Sequence, residues 1–164
     1  MNAASPQDLT AKQALERMLE LIRGIHAVTE VTPDLLQRAM GKDVHQIETG
    51  RFGFGQRLPG DWAFRVERYL LQPHDEAQLV LGFDPASDTD AAPVTACDPD
   101  YAAFTAALEG MGFARHPAYG EHGRWKYDAF DKPGIRVEVY PMYAQAKDDA
   151  DARGTRCVKR VLVR

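Results

Sequence analysis

Serine is almost missing from this chain: Ser5 and Ser87 are the only two in 164 residues. Both sit in cap or loop contexts and neither lies in a GxSxG elbow, which leaves no serine-hydrolase signature. Cysteine is as rare, with Cys97 and Cys157 far apart. Neither belongs to a CxxC pair, and no HExxH or closely spaced ligand set joins His26, His45, His74, His116 and His122. A metal centre therefore has no sequence support. The series Asp84, Asp88, Asp90 lacks the glycine and closing glutamate of a calcium loop. No apolar run reaches the ~18 residues that a membrane span needs. A basic excess is missing as well: net charge is −4 and the pI is near 5.7, unlike a dedicated nucleic-acid binder.

What is present is enough for a core. Hydrophobic residues make up 45% and charged residues 27%, the balance of an ordinary globular domain. The N-terminal stretch lacks a basic n-region and an unbroken apolar h-region. The expectation is a cytoplasmic protein with two reduced, partly buried thiols, the alternative being a pairing in a secreted chain.

Three segments open on a capping residue followed by proline: Ser5-Pro6, Thr32-Pro33 and Asp98-Pro99. A side-chain oxygen accepts from a free N–H of the first turn, and proline at the first helical position gives up a donor that had no partner there. Apolar residues then recur at helical spacing, as in Leu9, Leu15, Met18, Leu19 and Ile22. Helices are predicted near 6–23, 33–40 and 99–110.

The remainder reads as strands. "DWAFRVERYLL" alternates, with Trp62, Phe64, Val66 and Arg68 on one side, and "QPHDE" turns it into "AQLVLGF". Later, "GFARHPAY", "GRWKYDAF", "IRVEVYPMY" and "CVKRVLVR" follow one another through mostly short links, which suit antiparallel neighbours. The predicted fold is α+β: helices on one face of an antiparallel sheet, in the order ααβββ then αββββ. It is one domain, 1–164, divisible into sub-halves 1–84 and 97–164 joined by an acidic linker, 85–96. "TPDLLQRAMG" and "DPDYAAFTAALEGMG" echo each other, either as a repeat or as two helix starts selected by the same physics.

"RFGFGQRL", Arg51 to Leu58, resembles a phosphate loop only in its glycines. Gln56 and Arg57 stand where a Walker loop needs Lys and Ser or Thr, and "PGDW" follows where a helix should. With a period of two, Phe52 and Phe54 face the core and Gly53 and Gly55 form a flat strip on the other side. That strip is either a close packing contact or a smooth docking surface between Arg51 and Arg57.

In the C-terminal strands, Lys126, Asp128 and Phe130 are assigned to the solvated face with Arg136, Glu138, Tyr140 and Met142. Trp125, Tyr127, Ile135, Val137 and Val139 are assigned to the core. Aromatics and arginine among charges are the composition of a protein-binding surface.

The layout of a small acidic chain, with "TPDLLQRAMG" before a hairpin and "DPDYAAFTAALEGMGF" before four strands, resembles the immunity proteins of bacterial polymorphic and type VI secretion toxin systems. The resemblance implies a non-enzymatic, stoichiometric inhibitor of one cognate antibacterial toxin, with no cofactor. On physical grounds, the acidic groups Glu121, Asp128, Asp131, Glu138, Asp148 and Asp149 would steer a basic toxin, and Tyr119, Tyr140 and Tyr143 would anchor it. The alternatives are an effector adaptor or chaperone, or a small-molecule or enzymatic domain with a pocket under the sheet and Trp125, Tyr127 and His116 at its mouth. A cavity of several hundred cubic ångströms would favour the pocket.

Overall fold

The computed structural model describes residues 8–71, 76–88, 90–145 and 153–164. The Ser5-Pro6 helix start, the centre of the "QPHDE" turn, and Asp148 and Asp149 lie outside these residues.

The elements are α1 (Ala11–Gly24), α2 (Pro33–Met40), β1 (His45–Glu48), β2 (Arg51–Leu58), β3 (Trp62–Leu71), β4 (Glu76–Pro85), α3 (Tyr101–Gly110), β5 (Ala114–Tyr119), β6 (Trp125–Lys132), β7 (Ile135–Gln145) and β8 (Arg153–Val163). The strands form one antiparallel sheet in the order β1-β2-β3-β4-β8-β7-β6-β5, and the fold class is α+β. The strand missing from the sequence reading is β1. It has four residues, all exposed, at the sheet edge, so burial imposed no alternation on it.

Local chemistry fixes the helix ends. Thr10 and Gln13 form a capping box, so α1 begins at Ala11 and Asp8 to Thr10 lie outside it. Thr32 caps α2 with Pro33 in its first turn, as predicted. Arg17 of α1 donates to the Met40 carbonyl at 2.6 Å and closes the far end of α2. The third start differs from expectation. Asp100, not Asp98, caps α3 by accepting from Ala103 N–H at 2.8 Å. Pro99 follows a cis peptide ahead of the cap, and Asp98 pairs with Lys12 at 3.1 Å.

All three helices pack on one face of the sheet. Leu15, Met18, Ile22, Leu36, Met40, Phe104 and Leu108 meet Phe64, Val66, Leu79, Leu81, Val137, Val139 and Val161, all buried. Each such side chain contributes about 1.5–3 kcal/mol, against about 0–1 for an exposed ion pair, so this layer dominates the folding energy.

The thiol expectation is corrected. Cys97 and Cys157 form a disulfide that ties the segment before α3 to β8. Sequence separation of 60 hid a spatial neighbour: the chain leaves β4, passes over the helix side, and returns beside β8. Among the described residues no helix is long and apolar enough to cross a membrane.

The strand order is a palindrome of two like units. β1–β4 follow α2, β5–β8 follow α3, and the units meet at β4 and β8 through Leu79 to Gly82 opposite Val163 to Arg160. An approximate two-fold axis therefore passes through the centre of the sheet.

Candidate functional site

The face of the sheet away from the helices is uncovered by any described element. Its centre is one hydrogen-bonded row, Gly53–Glu67–Val80–Leu162–Glu138–Ala129–His116, running from β2 to β5. Beside it runs Gly55–Arg65–Gly82–Arg160–Tyr140, continued by Tyr127 on β6. On the other side lie Arg51, Tyr69, Gln78, Arg164, Arg136 and Asp131.

Glu67 and Glu138 are the same position in the two units. Each lies in an Arg-Val-Glu-x-Tyr run: Arg65-Val66-Glu67-Arg68-Tyr69 and Arg136-Val137-Glu138-Val139-Tyr140. In each the valine faces the core, fully buried, and the glutamate sits on the open face yet is buried. Arg51 donates to Glu67 through Nε and Nη2 at 3.0–3.2 Å, and Arg65 donates from Nη1 at 3.2 Å. Arg164 donates to Glu138 at 2.5 Å, Arg136 approaches to 3.5 Å, and the Tyr140 hydroxyl donates at 2.8 Å. Burial and this bond to Glu138 push the Tyr140 phenol up to about 12. The two glutamates stand three strand spacings apart, about 14 Å. That is too far for an acid–base pair acting on one bond.

Tyr140 is the middle of a stack. Tyr127 packs on it at 4.7 Å between centroids, and the Arg160 guanidinium lies over it at 4.2 Å. It does not project as a free anchor. Tyr119 is 63% exposed at the end of β5, near Glu121. Tyr143 lies elsewhere, beside Arg156, whose guanidinium covers Trp125 at 4.3 Å and Tyr101 at 5.6 Å. The predicted tyrosines are thus not brought to one place.

Nor does the predicted acidic patch assemble. Glu138 is buried among arginines, and Asp128 lies on the opposite face, under α3. Asp128 accepts from Arg115 Nη2 at 2.7 Å and from Trp125 Nε1 at 3.1 Å, and lies 2.8 Å from the Tyr101 hydroxyl. Burial opposes its ionisation, but these three donors outweigh it and hold its pKa below the ordinary value. Of the described acids proposed for steering, Glu121 and Asp131 remain toward solvent, and Asp131 has Arg136 at 3.8 Å.

The facing of β6 is therefore corrected. Phe130 is fully buried in the core and Tyr127 lies on the open face. The charge of Asp128 predicts an outward side chain; three converging donors instead keep it inside. Met142 is corrected too, since it lines a cleft on the helix side. The strip of Gly53 and Gly55 divides. A Cβ on Gly53 would lie 2.1 Å from the Val66 carbonyl oxygen and 2.8 Å from the Glu67 Cα, so it is a close backbone contact. Gly55 is exposed, with nothing nearer than the Phe64 carbonyl oxygen at 3.6 Å.

The helix-side cleft measures about 730 Å³. Leu15, Leu58, Trp62, Phe83, Val94 and Met142 line it, and the Cys97–Cys157 bridge forms part of its wall. The 92–99 segment over it is held by Trp62 Nε1 donating to the Ala92 carbonyl and by Gln145 N–H donating to the Val94 carbonyl. This is not where a pocket was predicted: Trp125, Tyr127 and His116 are not among its lining residues. Among the described residues no cluster of His, Cys, Asp or Glu is placed to hold a metal ion.

The repeated Arg-Val-Glu-x-Tyr run is the signal that sequence reasoning missed. No protein-family model, curated protein or solved structure matches the chain.

Proposed function

We propose that this chain is a non-enzymatic protein-binding module that docks its partner on the open face of the sheet, in the manner of an immunity protein neutralising a bacterial toxin. The observation that carries the reading is the pair of Arg-Val-Glu-x-Tyr units. Each fixes half-exposed arginines around a buried glutamate on a face that nothing described covers. Arginines locked by ion pairs lose little side-chain entropy on binding, which suits a recognition surface.

The test is capture of a stoichiometric partner by the tagged full-length chain from the lysate of its source, followed by expression of that partner alone in a bacterial host. The reading expects the partner to be harmful alone and harmless when co-expressed with this chain. A partner that is harmless alone contradicts the inhibitor reading and favours an adaptor.

The cleft of about 730 Å³ supports a second reading, a carrier or sensor of an apolar small molecule, because its size and apolar lining are those of ligand sites. Saturable binding of a fluorescent fatty acid, lost in Met142→Trp, would favour it. The disulfide weighs toward an oxidising compartment rather than the cytoplasm.

A further inference from the structure

The strap over the helix-side cleft is fastened at one end by hydrogen bonds and at the other by sulfur. Residues 92–99 have no helix or strand of their own. At the first end, Ala92 donates from its N–H to the Gly60 carbonyl at 2.8 Å, and its own carbonyl accepts from Trp62 Nε1 at 2.7 Å. The Val94 carbonyl accepts from the Gln145 N–H at 2.6 Å. Beyond Val94 the strap is fixed by the bridge from Cys97 to Cys157 on β8 and by the ion pair of Asp98 with Lys12 at 3.1 Å. Both side chains of that pair are more than half exposed, and an ion pair in water holds little.

Every residue from Ala92 to Pro99 lines the cleft of about 730 Å³, yet none of them is fully buried. The opposite wall is built differently. Leu15 of α1, Phe83 of β4 and Val158 of β8 line the same cleft and belong to the buried core. Tyr101, fully buried at the head of α3, fixes the chain just past the strap. Moving Pro93 to Pro99 therefore opens the cleft without unpacking the layer between helices and sheet. The charged side chains of the lining are already met: Asp8 by Lys42, Asp98 by Lys12 and Arg57 by Asp61. A guest is held by apolar contact, and the strap supplies part of it.

We propose that the Cys97–Cys157 bridge is a redox latch on this cleft: oxidised, it holds the strap as a wall around an apolar guest, and reduced, it frees the strap and releases the guest. The latch rests on the small-molecule reading of the cleft and is independent of the docking face. The reductant is a dithiol. Cys97 is half-buried and Cys157 is buried, so the reductant's first thiolate attacks the Cys97 sulfur. Cys157 leaves as thiolate and takes up a proton. The second thiolate of the reductant then displaces Cys97, which takes up the other proton. Two electrons pass to the protein, which gains two thiols, and the reductant ends as a disulfide.

The test compares the full-length chain in three forms: the oxidised parent, the parent reduced with dithiothreitol, and Cys97→Ala. The probe is dansyl-labelled undecanoic acid, followed by fluorescence, and amide hydrogen exchange is measured alongside. The oxidised parent is expected to bind the probe saturably. Reduction should weaken binding roughly tenfold or more, since the loss of only about 50 Å² of apolar contact suffices for that factor. Reoxidation should restore the affinity. Cys97→Ala should match the reduced parent and ignore the reductant. In the reduced form the amides of Thr95 to Asp98 should exchange faster while those of β4, β7 and β8 stay protected. Equal or tighter binding after reduction overturns the latch and leaves the cleft standing as a ligand site. Protection lost throughout the sheet on reduction also overturns the latch, because the bridge is then a staple of the whole fold. No saturable binding to the oxidised parent overturns the latch together with the small-molecule reading of the cleft.

Discussion

Glu67 and Glu138 lie in one hydrogen-bonded row, each one strand outside the β4–β8 seam, with Val80 and Leu162 between them. Each is a buried carboxylate held by arginines on a face that lacks a covering layer. Desolvating a carboxylate is costly, so its ion pairs serve chiefly to offset that cost. Glu138→Ala leaves Arg164 and the Tyr140 hydroxyl without their partner and Arg136 with Asp131 alone, but both arginine side chains are partly exposed and water offsets part of the loss. The expected loss is about 2 kcal/mol, read by urea unfolding. With the two glutamates about 14 Å apart, losses in the Glu67→Ala/Glu138→Ala double variant should add to within about 0.5 kcal/mol.

The glycines of "RFGFG" separate packing from surface. In Gly53→Ala the new methyl collides with backbone of β3, and overpacking of this kind costs about 1–3 kcal/mol. Gly55→Ala meets only ordinary contacts and should leave the unfolding midpoint within about 0.5 kcal/mol of the parent. Equal destabilisation by both would contradict the assignment of Gly55 to the docking surface.

Asp128 makes stability pH-dependent with a definite sign. Its folded pKa lies below the unfolded value of about 3.9, so its contribution is complete above that value and is lost as pH falls through the folded pKa. Unfolding free energy measured from pH 6 down to 2 should fall on this limb. The fall should be shallower in Asp128→Asn, which has nothing to titrate there. Tyr101→Phe removes one of the three donors and should shift the limb to higher pH.

Closing a loop of 60 residues gives the disulfide a chain-entropy contribution of about 4 kcal/mol. Reductant, or the Cys97→Ser/Cys157→Ser double variant, should lower the denaturation midpoint accordingly. Free-thiol titration of the native protein should find no reactive thiol before reduction.

Much of the architecture is legible in the sequence because local physics writes it there. Thr32-Pro33 set the start of α2, and the alternation of Phe64 and Val66 against Arg65 and Glu67 set the facing of β3. The reading failed where tertiary partners overrule local pattern. Asp128 is inside because Tyr101, Trp125 and Arg115 converge on it from α3 and from the β5–β6 region, and none of them announces that at a fixed spacing. Cys97 and Cys157 became neighbours only through the sheet order. The site was partly legible: Tyr140 and Glu138 were singled out, but as an anchor and a steering charge. They are instead the inner part of an arginine cluster whose repeat, Arg-Val-Glu-x-Tyr, occurs twice in the sequence.

The most direct measurement is the dissociation constant of the captured partner, by calorimetry, for three forms of the full-length chain: the parent, Arg65→Glu/Arg160→Glu on the open face, and Lys12→Glu on the helix side. Docking on the open face predicts at least a roughly hundredfold loss for the double variant, since charge reversal at a paired site costs several kcal/mol, and no change for Lys12→Glu. An unchanged constant in the double variant, with its fold intact by circular dichroism, would place the partner elsewhere and contradict the docking face.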